Sequence, residues 1–96
     1  MAHYAIIDQR NVVIQVITGV DETITQTDID GTTVGGSSEA WEQFYTTQLS
    51  NPTLYVKRCS YHGTIRAKYP ALGDVYDADN DEFVTPPLPN PINDNE

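Results

Sequence analysis

SEAWEQFYTTQL, residues 38–49, is the one stretch of this chain with clear helical periodicity, and the segments on either side of it alternate like strands. Gly35-Gly36 frees the backbone ahead of it, and Ser37 or Ser38 can cap the exposed amides at its start. Glu39 and Glu42 fall in the first turn, where the positive end of the helix dipole favours carboxylates. Trp41, Phe44, Tyr45 and Leu49 stand at i, i+3, i+4 and i+8, which places one aromatic stripe on one face. A stripe of this kind packs on a sheet, and Trp41 alone can bury about 200 Å². Ser50-Asn51-Pro52 ends the helix.

Upstream, two β-branched runs, Tyr4–Ile7 and Val12–Ile17, flank Asp8-Gln9-Arg10-Asn11. That pattern predicts a hairpin, with Asn11 tolerant of a left-handed backbone. Strict alternation puts Val12, Ile14 and Val16 on one face and Val13, Gln15 and Ile17 on the other. Both faces are largely apolar, so this second strand is expected to be covered twice, by the helix on one side and by a partner on the other. Residues 18–37 are acidic, Thr-rich and punctuated by glycine. Asp30-Gly31 predicts a two-residue type I′ turn in a surface hairpin, since Ile24, Ile29 and Val34 are too few to build a core. The acids Asp21, Glu22, Asp28 and Asp30 match no metal-loop spacing and read as a solvated loop.

Downstream, residues 57–89 hold four of the five basic side chains, the only cysteine and a Pro-rich exit. TLYVKRCSY reads as a strand with Leu54, Val56, Arg58 and Ser60 on one face. His62-Gly63 is a turn, and TIRAKY reads as a further short strand. Pro70 to Gly73 bend the chain into a last hairpin, GDVYD and EFVT around ADND. Asp77, Asp79 and Asp81 match the opening of an EF-hand loop, but Glu82 replaces the required glycine and Leu88 the closing glutamate. Turn chemistry accounts for the same aspartates without a metal. PPLPNPINDNE, residues 86–96, cannot enter a central strand and reads as extended polyproline II followed by an acidic tail. The expected fold is α+β: a small antiparallel β-sheet built from hairpins on one amphipathic helix at about 38–49, in one domain over 1–85 with a tail over 86–96.

The 14 acids outnumber 5 bases for a formal charge of −9, a field that repels phosphate backbones and disfavours nucleic acid as a partner. Lys57, Arg58, Arg66 and Lys68 read more naturally as a solvated face or as partners for the chain's own acids. A lone cysteine forms no internal disulfide. Cys59 and His62 point to opposite sides of a strand, so Cys59 reads as a half-buried structural thiol. His62, beside a glycine, reads as a turn residue, and with His3 it completes the supply of bases near neutrality. With no phosphate cradle, GxSxG, HExxH or CxxC, no catalytic, metal or cofactor-binding residues are expected, no cofactor and no small-molecule substrate. Neither a signal peptide nor a run long enough to span a bilayer is visible, so a soluble protein without a membrane partner is expected. A chain of 96 residues buries only about 60% of its unfolded surface, and a partner surface is a natural supplement to so small a core.

Three patterns carry a resemblance: MAHYAIID…NVV.QVITGVDE, VGGSSEAWEQFY, and VKRCSY…G.IR..Y…G..YD...D.FVTPP.P. In these the chain resembles small virion-associated structural proteins of tailed phages that infect marine bacteria, cyanophages above all. The likeness covers nearly the whole chain, and its motifs are structural rather than catalytic. Members of that family continue past PP.P into a Trp-containing strand, where this sequence has an acidic tail. They also carry an Asn-rich loop after the SY pair, where this one has HG. The resemblance implies a non-enzymatic protein of the virion, assembled in the host cytoplasm. The leading expectation is a capsid decoration or cement protein, with the major capsid protein, tail proteins or further copies of itself as partners. A tail accessory or fibre-associated protein is the alternative address. An assembly chaperone or host-factor binding module, absent from the mature virion, is the alternative of another class. Candidate contacts are Arg58, Tyr61, Arg66, Lys68 and Tyr69 on the basic segment and Pro86, Pro87, Leu88, Pro89 and Ile92 on the tail, since arginine and tyrosine dominate interface energetics. Tyr61 and Tyr69 read equally well as core and rim of the domain.

Overall fold

A computed structural model describes residues 2–86 and gives an α+β fold of three small antiparallel sheets and one helix. Strands β1 (Ala2–Ile7) and β2 (Val13–Gly19) form the first hairpin, and the polar break between them turns on Asn11 at φ 65°. Asp8 organises that turn, its carboxylate accepting the amides of Arg10 and Val12. A second hairpin, β3 (Thr25–Thr27) with β4 (Thr33–Gly35), precedes helix α1 (Ser38–Leu49). Strand β5 (Tyr55–Cys59) returns beside β1, so the main sheet has the order β2-β1-β5. The last hairpin is β6 (Val75–Asp77) with β7 (Glu82–Val84).

Burial follows from the place of β1 at the centre of the main sheet. Its residues alternate between two cores, as the period of a strand requires. Ala2, Tyr4 and Ile6 join Trp41 and Val56 on the helix side. Ala5 and Ile7 join Val13, Cys59, Tyr76 and Phe83 on the other side. The strand covered on both faces is therefore β1. β2 is an edge strand whose two faces are each covered in part, Val13 and Val16 packing in one core and Ile17 in the other, while Ile14, Gln15 and Thr18 are exposed. The second cover is also internal: the β6–β7 hairpin of the same chain supplies it. Val13 ties that hairpin to the sheet, donating to the Asp74 carbonyl at 2.8 Å and accepting from Gly73 at 2.9 Å.

A bulge explains why strict alternation misread β2. Ile6 pairs with Gln15 and Ile7 with Val13, so Ile14 is the extra residue. The bulge shifts the parity, bringing Val13 and Val16 to the same face, and leaves Ile14 44% exposed. The β3–β4 turn also differs from the two-residue form expected. Asp28 to Thr32 connect the strands, with the Asp28 amide donating to the Thr32 carbonyl, and only Gly31 in that turn takes a positive φ, 89°. TIRAKY is a turn rather than a strand, because Arg66 and Ala67 both adopt left-handed backbone at φ 54° and 78°.

The helix ends are capped as the sequence implies. The Ser37 hydroxyl accepts the Ala40 amide at 3.1 Å, and Ser50 closes the helix in a left-handed conformation. Trp41, Phe44, Tyr45 and Leu49 all pack in the helix-side core. The two helix residues that are fully buried, however, are Trp41 and the acidic Glu42, so the inward face is not the purely aromatic stripe expected. Trp41 also holds the β3–β4 excursion in place, its indole N–H donating to the Ile24 carbonyl at 2.9 Å. Gly35 permits this approach: at φ 92°, a Cβ there would stand 2.5 Å from both the Ile24 carbonyl and the Trp41 ring. Gly35→Ala is expected to destabilise the fold by about 2 kcal/mol or more, through backbone strain and displacement of the indole. Urea unfolding followed by Trp41 fluorescence measures this, and a shift under ~0.5 kcal/mol would contradict the packing described.

Candidate functional site

The segment after β5 gathers most of the chain's surface chemistry. The turn at Ser60–Gly63 is closed by the Gly63 amide donating to the Ser60 carbonyl at 3.0 Å and the Thr64 amide donating to the Ser60 hydroxyl at 2.8 Å. Tyr61, two residues beyond Cys59, lies beside His3, which pairs with Cys59 across the β1–β5 ladder. Four rings meet there. Tyr61 lies 5.9 Å from His3 and 5.4 Å from both His62 and Tyr69, and Tyr69 meets His3 edge-on at 5.6 Å. Tyr69 also packs on the core around Cys59, whereas Tyr61 is 65% exposed. Tyr61 and Tyr69 are thus brought together in one aromatic patch. Sequence reasoning left out His3 and His62 from this group. The β1–β5 register that aligns His3 with Cys59 is what connects them.

The basic candidates have a different fate. Arg58 is buried and spans several partners, donating to Glu22 at 2.9 and 3.1 Å and to the backbone carbonyls of His3 and Cys59. Arg66 joins the helix to the last hairpin. It donates to Glu42 at 2.7 Å, to Asp81 at 2.6 Å and to the Arg58 carbonyl at 2.8 Å. Lys68 pairs with the buried Asp74 at 2.8 Å and donates to the Thr85 hydroxyl. Of the two sequence-level readings of this cluster, the structure favours partners for the chain's own acids. As contact residues for another molecule, Arg58 and Arg66 would first have to leave these ion pairs. Pro86 is exposed, while Pro87, Leu88, Pro89 and Ile92 lie outside the described residues.

Glu42 is the centre of this network. Arg58 donates its backbone amide to the Glu42 carboxylate at 2.6 Å, and Lys57 stands 4.0 Å from it. The neighbouring outward amide of β5, from Val56, donates to the Thr46 hydroxyl at 3.0 Å. Two helix side chains thus occupy the outer edge of β5, which an edge strand otherwise leaves open for pairing. Asp81 accepts from Tyr76 as well as from Arg66, and those hydrogen bonds hold its carboxyl below the usual range. Burial, reinforced by that bond to Asp81, pushes the Tyr76 phenol up to about 12. Asp74 is also held low: burial alone would raise it, but the Lys68 ion pair and the Ala71 amide outweigh that.

The remaining candidates for chemistry are separated. Cys59 is fully buried rather than half-buried, and burial pushes its thiol up to about 11 against the opposing pull of Arg58 and Arg66. At neutral pH it is a packed thiol, not a thiolate nucleophile. His62 sits on the exposed turn. An open groove of about 430 Å³ between β4 and α1 is lined by Thr33, Val34, Gly35, Ala40, Gln43, Phe44 and Thr47, none of which titrates near neutrality. Among the described residues no group of three or more His, Cys, Asp or Glu side chains is arranged to hold a metal ion. Comparison with protein-family models, curated proteins and solved structures finds no match to the chain.

Replacing Glu42 separates its two roles. Glu42→Leu leaves the Arg58 amide without its acceptor and the Arg66 guanidinium with Asp81 as its remaining acid, and is expected to cost about 2–4 kcal/mol. Glu42→Gln keeps an acceptor for the Arg58 amide and is expected to cost less than half as much. Denaturant unfolding of both variants checks this, and equal losses would show that the retained acceptor contributes nothing beyond the charge.

Proposed function

We propose that this chain is a non-enzymatic structural protein of a phage virion, acting as a decoration or cement protein on the capsid. The observation that carries the reading is the exposed Tyr61, held by His3, His62 and Tyr69 in an aromatic patch at one end of the main sheet. A tyrosine fixed by ring contacts offers large contact area at little entropic cost, and tyrosine is enriched at the energetic centres of interfaces. The internal pairing of Arg58 and Arg66 supports a contact made by aromatic and apolar surface rather than by charge. The buried, protonated Cys59 thiol supports a structural rather than a nucleophilic use of that residue. The sequence resemblance supplies the virion setting, with coat subunits as the partners.

Adhesion through one patch and a Pro-rich tail is weak for a single copy and strong over a lattice, because each tethered contact raises the effective concentration of the next. An acidic exterior suits a particle surface that must stay soluble. The test is reconstitution on particles of the encoding phage that lack the protein, with occupancy read from density maps and quantitative mass spectrometry. Tyr61→Ala, at an exposed position, is expected to leave the fold intact and weaken particle binding at least about tenfold. Removal of residues 86–96 is expected to abolish binding. Full occupancy by the tailless protein would overturn the tail's role. Absence of the wild-type chain from finished particles would overturn the virion reading.

A further inference from the structure

The described residues end beside the aromatic patch. Thr85 and Pro86, both exposed, are the last of them, and two contacts set the direction in which they leave β7. The Phe83 amide donates to the Arg66 carbonyl at 2.9 Å, and two residues further along each segment the Lys68 ammonium donates to the Thr85 hydroxyl. The two segments therefore advance in the same order, and Tyr69 follows Lys68 as Pro86 follows Thr85. The turn that carries Tyr61 lies against the same residues. A Cβ on Gly63 would stand 3.4 Å from the Lys68 Cα and 3.5 Å from the Tyr69 amide nitrogen. The patch also has unused donors. The hydroxyls of Tyr4, Tyr45, Tyr55 and Tyr76 each make a hydrogen bond within the chain. Among the described residues those of Tyr61 and Tyr69 make none.

We propose that this patch is the seat of the chain's own Pro-rich segment, residues 86–91, which packs on Tyr61 and Tyr69 of the same molecule. PPLPNP carries prolines at 86, 87, 89 and 91. Proline fixes φ and favours polyproline II, a helix of three residues per turn with no internal hydrogen bonds. In that form Pro86 and Pro89 make one ridge and Leu88 and Pro91 a second, with Pro87 and Asn90 on the third. Two wholly apolar ridges suit the furrows between aromatic rings, which is how such segments are commonly recognised. The carbonyls of a polyproline II segment lack partners of their own, and the Tyr61 and Tyr69 hydroxyls supply donors for them. At about 3.1 Å per residue the segment extends about 19 Å. That is enough to cross Tyr69 and Tyr61, whose ring centroids are 5.4 Å apart. The tether selects this occupant over the same segment of a second copy. Attached beside the patch, it is held at an effective concentration of the order of millimolar, which another molecule in dilute solution does not reach. Its prolines also have little conformational entropy to lose on docking.

The inference rests on the aromatic patch and not on the virion setting, and its test needs only the full chain in dilute solution. Nuclear Overhauser cross-peaks are expected between the rings of Tyr61 and Tyr69 and the side chains of Pro86, Leu88, Pro89 and Pro91. The same side-chain protons are expected to lie upfield of their positions in the isolated peptide PPLPNP. Tyr61→Ala is expected to lose both signatures, while Tyr61→Phe, which keeps the ring, retains the cross-peaks. Leu88→Ser combined with Pro89→Gly takes one apolar member from each ridge and is expected to lose both signatures as well. A folded wild type without the cross-peaks overturns the inference. So does a folded variant of Tyr61→Ala, or of the Leu88 and Pro89 pair, that keeps the upfield shifts. Cross-peaks found only between labelled and unlabelled copies also overturn it and assign the segment to a neighbouring molecule. Cross-peaks present in a chain that is absent from finished particles would overturn the virion reading alone.

Discussion

The carboxylate of Glu42 is the interaction on which most of this fold depends. It is buried on the inner side of α1, where it takes the Arg58 amide from β5 and the Arg66 guanidinium from the loop beyond. Arg66 in turn reaches Asp81, and Asp81 accepts from Tyr76. One acid therefore connects the helix, the edge strand and the last hairpin, three elements far apart in sequence. A buried ion pair seldom adds much stability over an apolar packing of equal shape, but its loss on one side only is costly. Its value here is geometric: it fixes where α1 lies along β5 and closes that edge to pairing.

The central position of β1 is the second constraint. Because it is covered on both faces, one side needs the helix and the other needs the β6–β7 hairpin, and a short chain meets both demands internally. The result leaves little apolar surface to spare. Among the described residues the exposed large apolar side chains are Tyr61 with its neighbouring rings, Leu72 on the bend before β6, Ile24 and Ile29 on the β3–β4 excursion, and Ile14 at the bulge. Function by contact would draw on these places, since Cys59 is packed and all five bases stand beside internal acids.

Local chemistry was legible in the sequence wherever a few residues decide the backbone. The Ser37 cap, the left-handed Asn11, the helix over 38–49 and the hairpin around Asp77–Asp81 were all readable, because caps, turns and periodicity act over short distances. The bulge at Ile14 was not, since nothing in VVIQVI marks which residue is extra, and one residue inverts every face before it. The left-handed pair Arg66-Ala67 was hidden for a similar reason: no glycine announces it, and it is held by tertiary bonds, among them the Phe83 amide donating to the Arg66 carbonyl. Of the candidate site, the pairing of Tyr61 with Tyr69 could be guessed from their segment, but His3 arrives from β1 and no local signal connects it. Glu42 read as a helix-start acid, and only the long-range fold makes it a buried anchor.

A β5 edge closed by helix side chains contrasts with a β2 edge that, among the described residues, is left unpaired at Val16 and Thr18. Amide hydrogen exchange, resolved by residue in dilute solution, examines that contrast directly. The amides of Val56 and Arg58, accepted by Thr46 and Glu42, are expected to exchange only with global unfolding. Those of Val16 and Thr18, facing solvent, are expected to exchange orders of magnitude faster under the same conditions. If instead Arg58 and Val56 exchange as fast as the β2 edge, the helix does not close β5, and Glu42 is not the anchor of this fold.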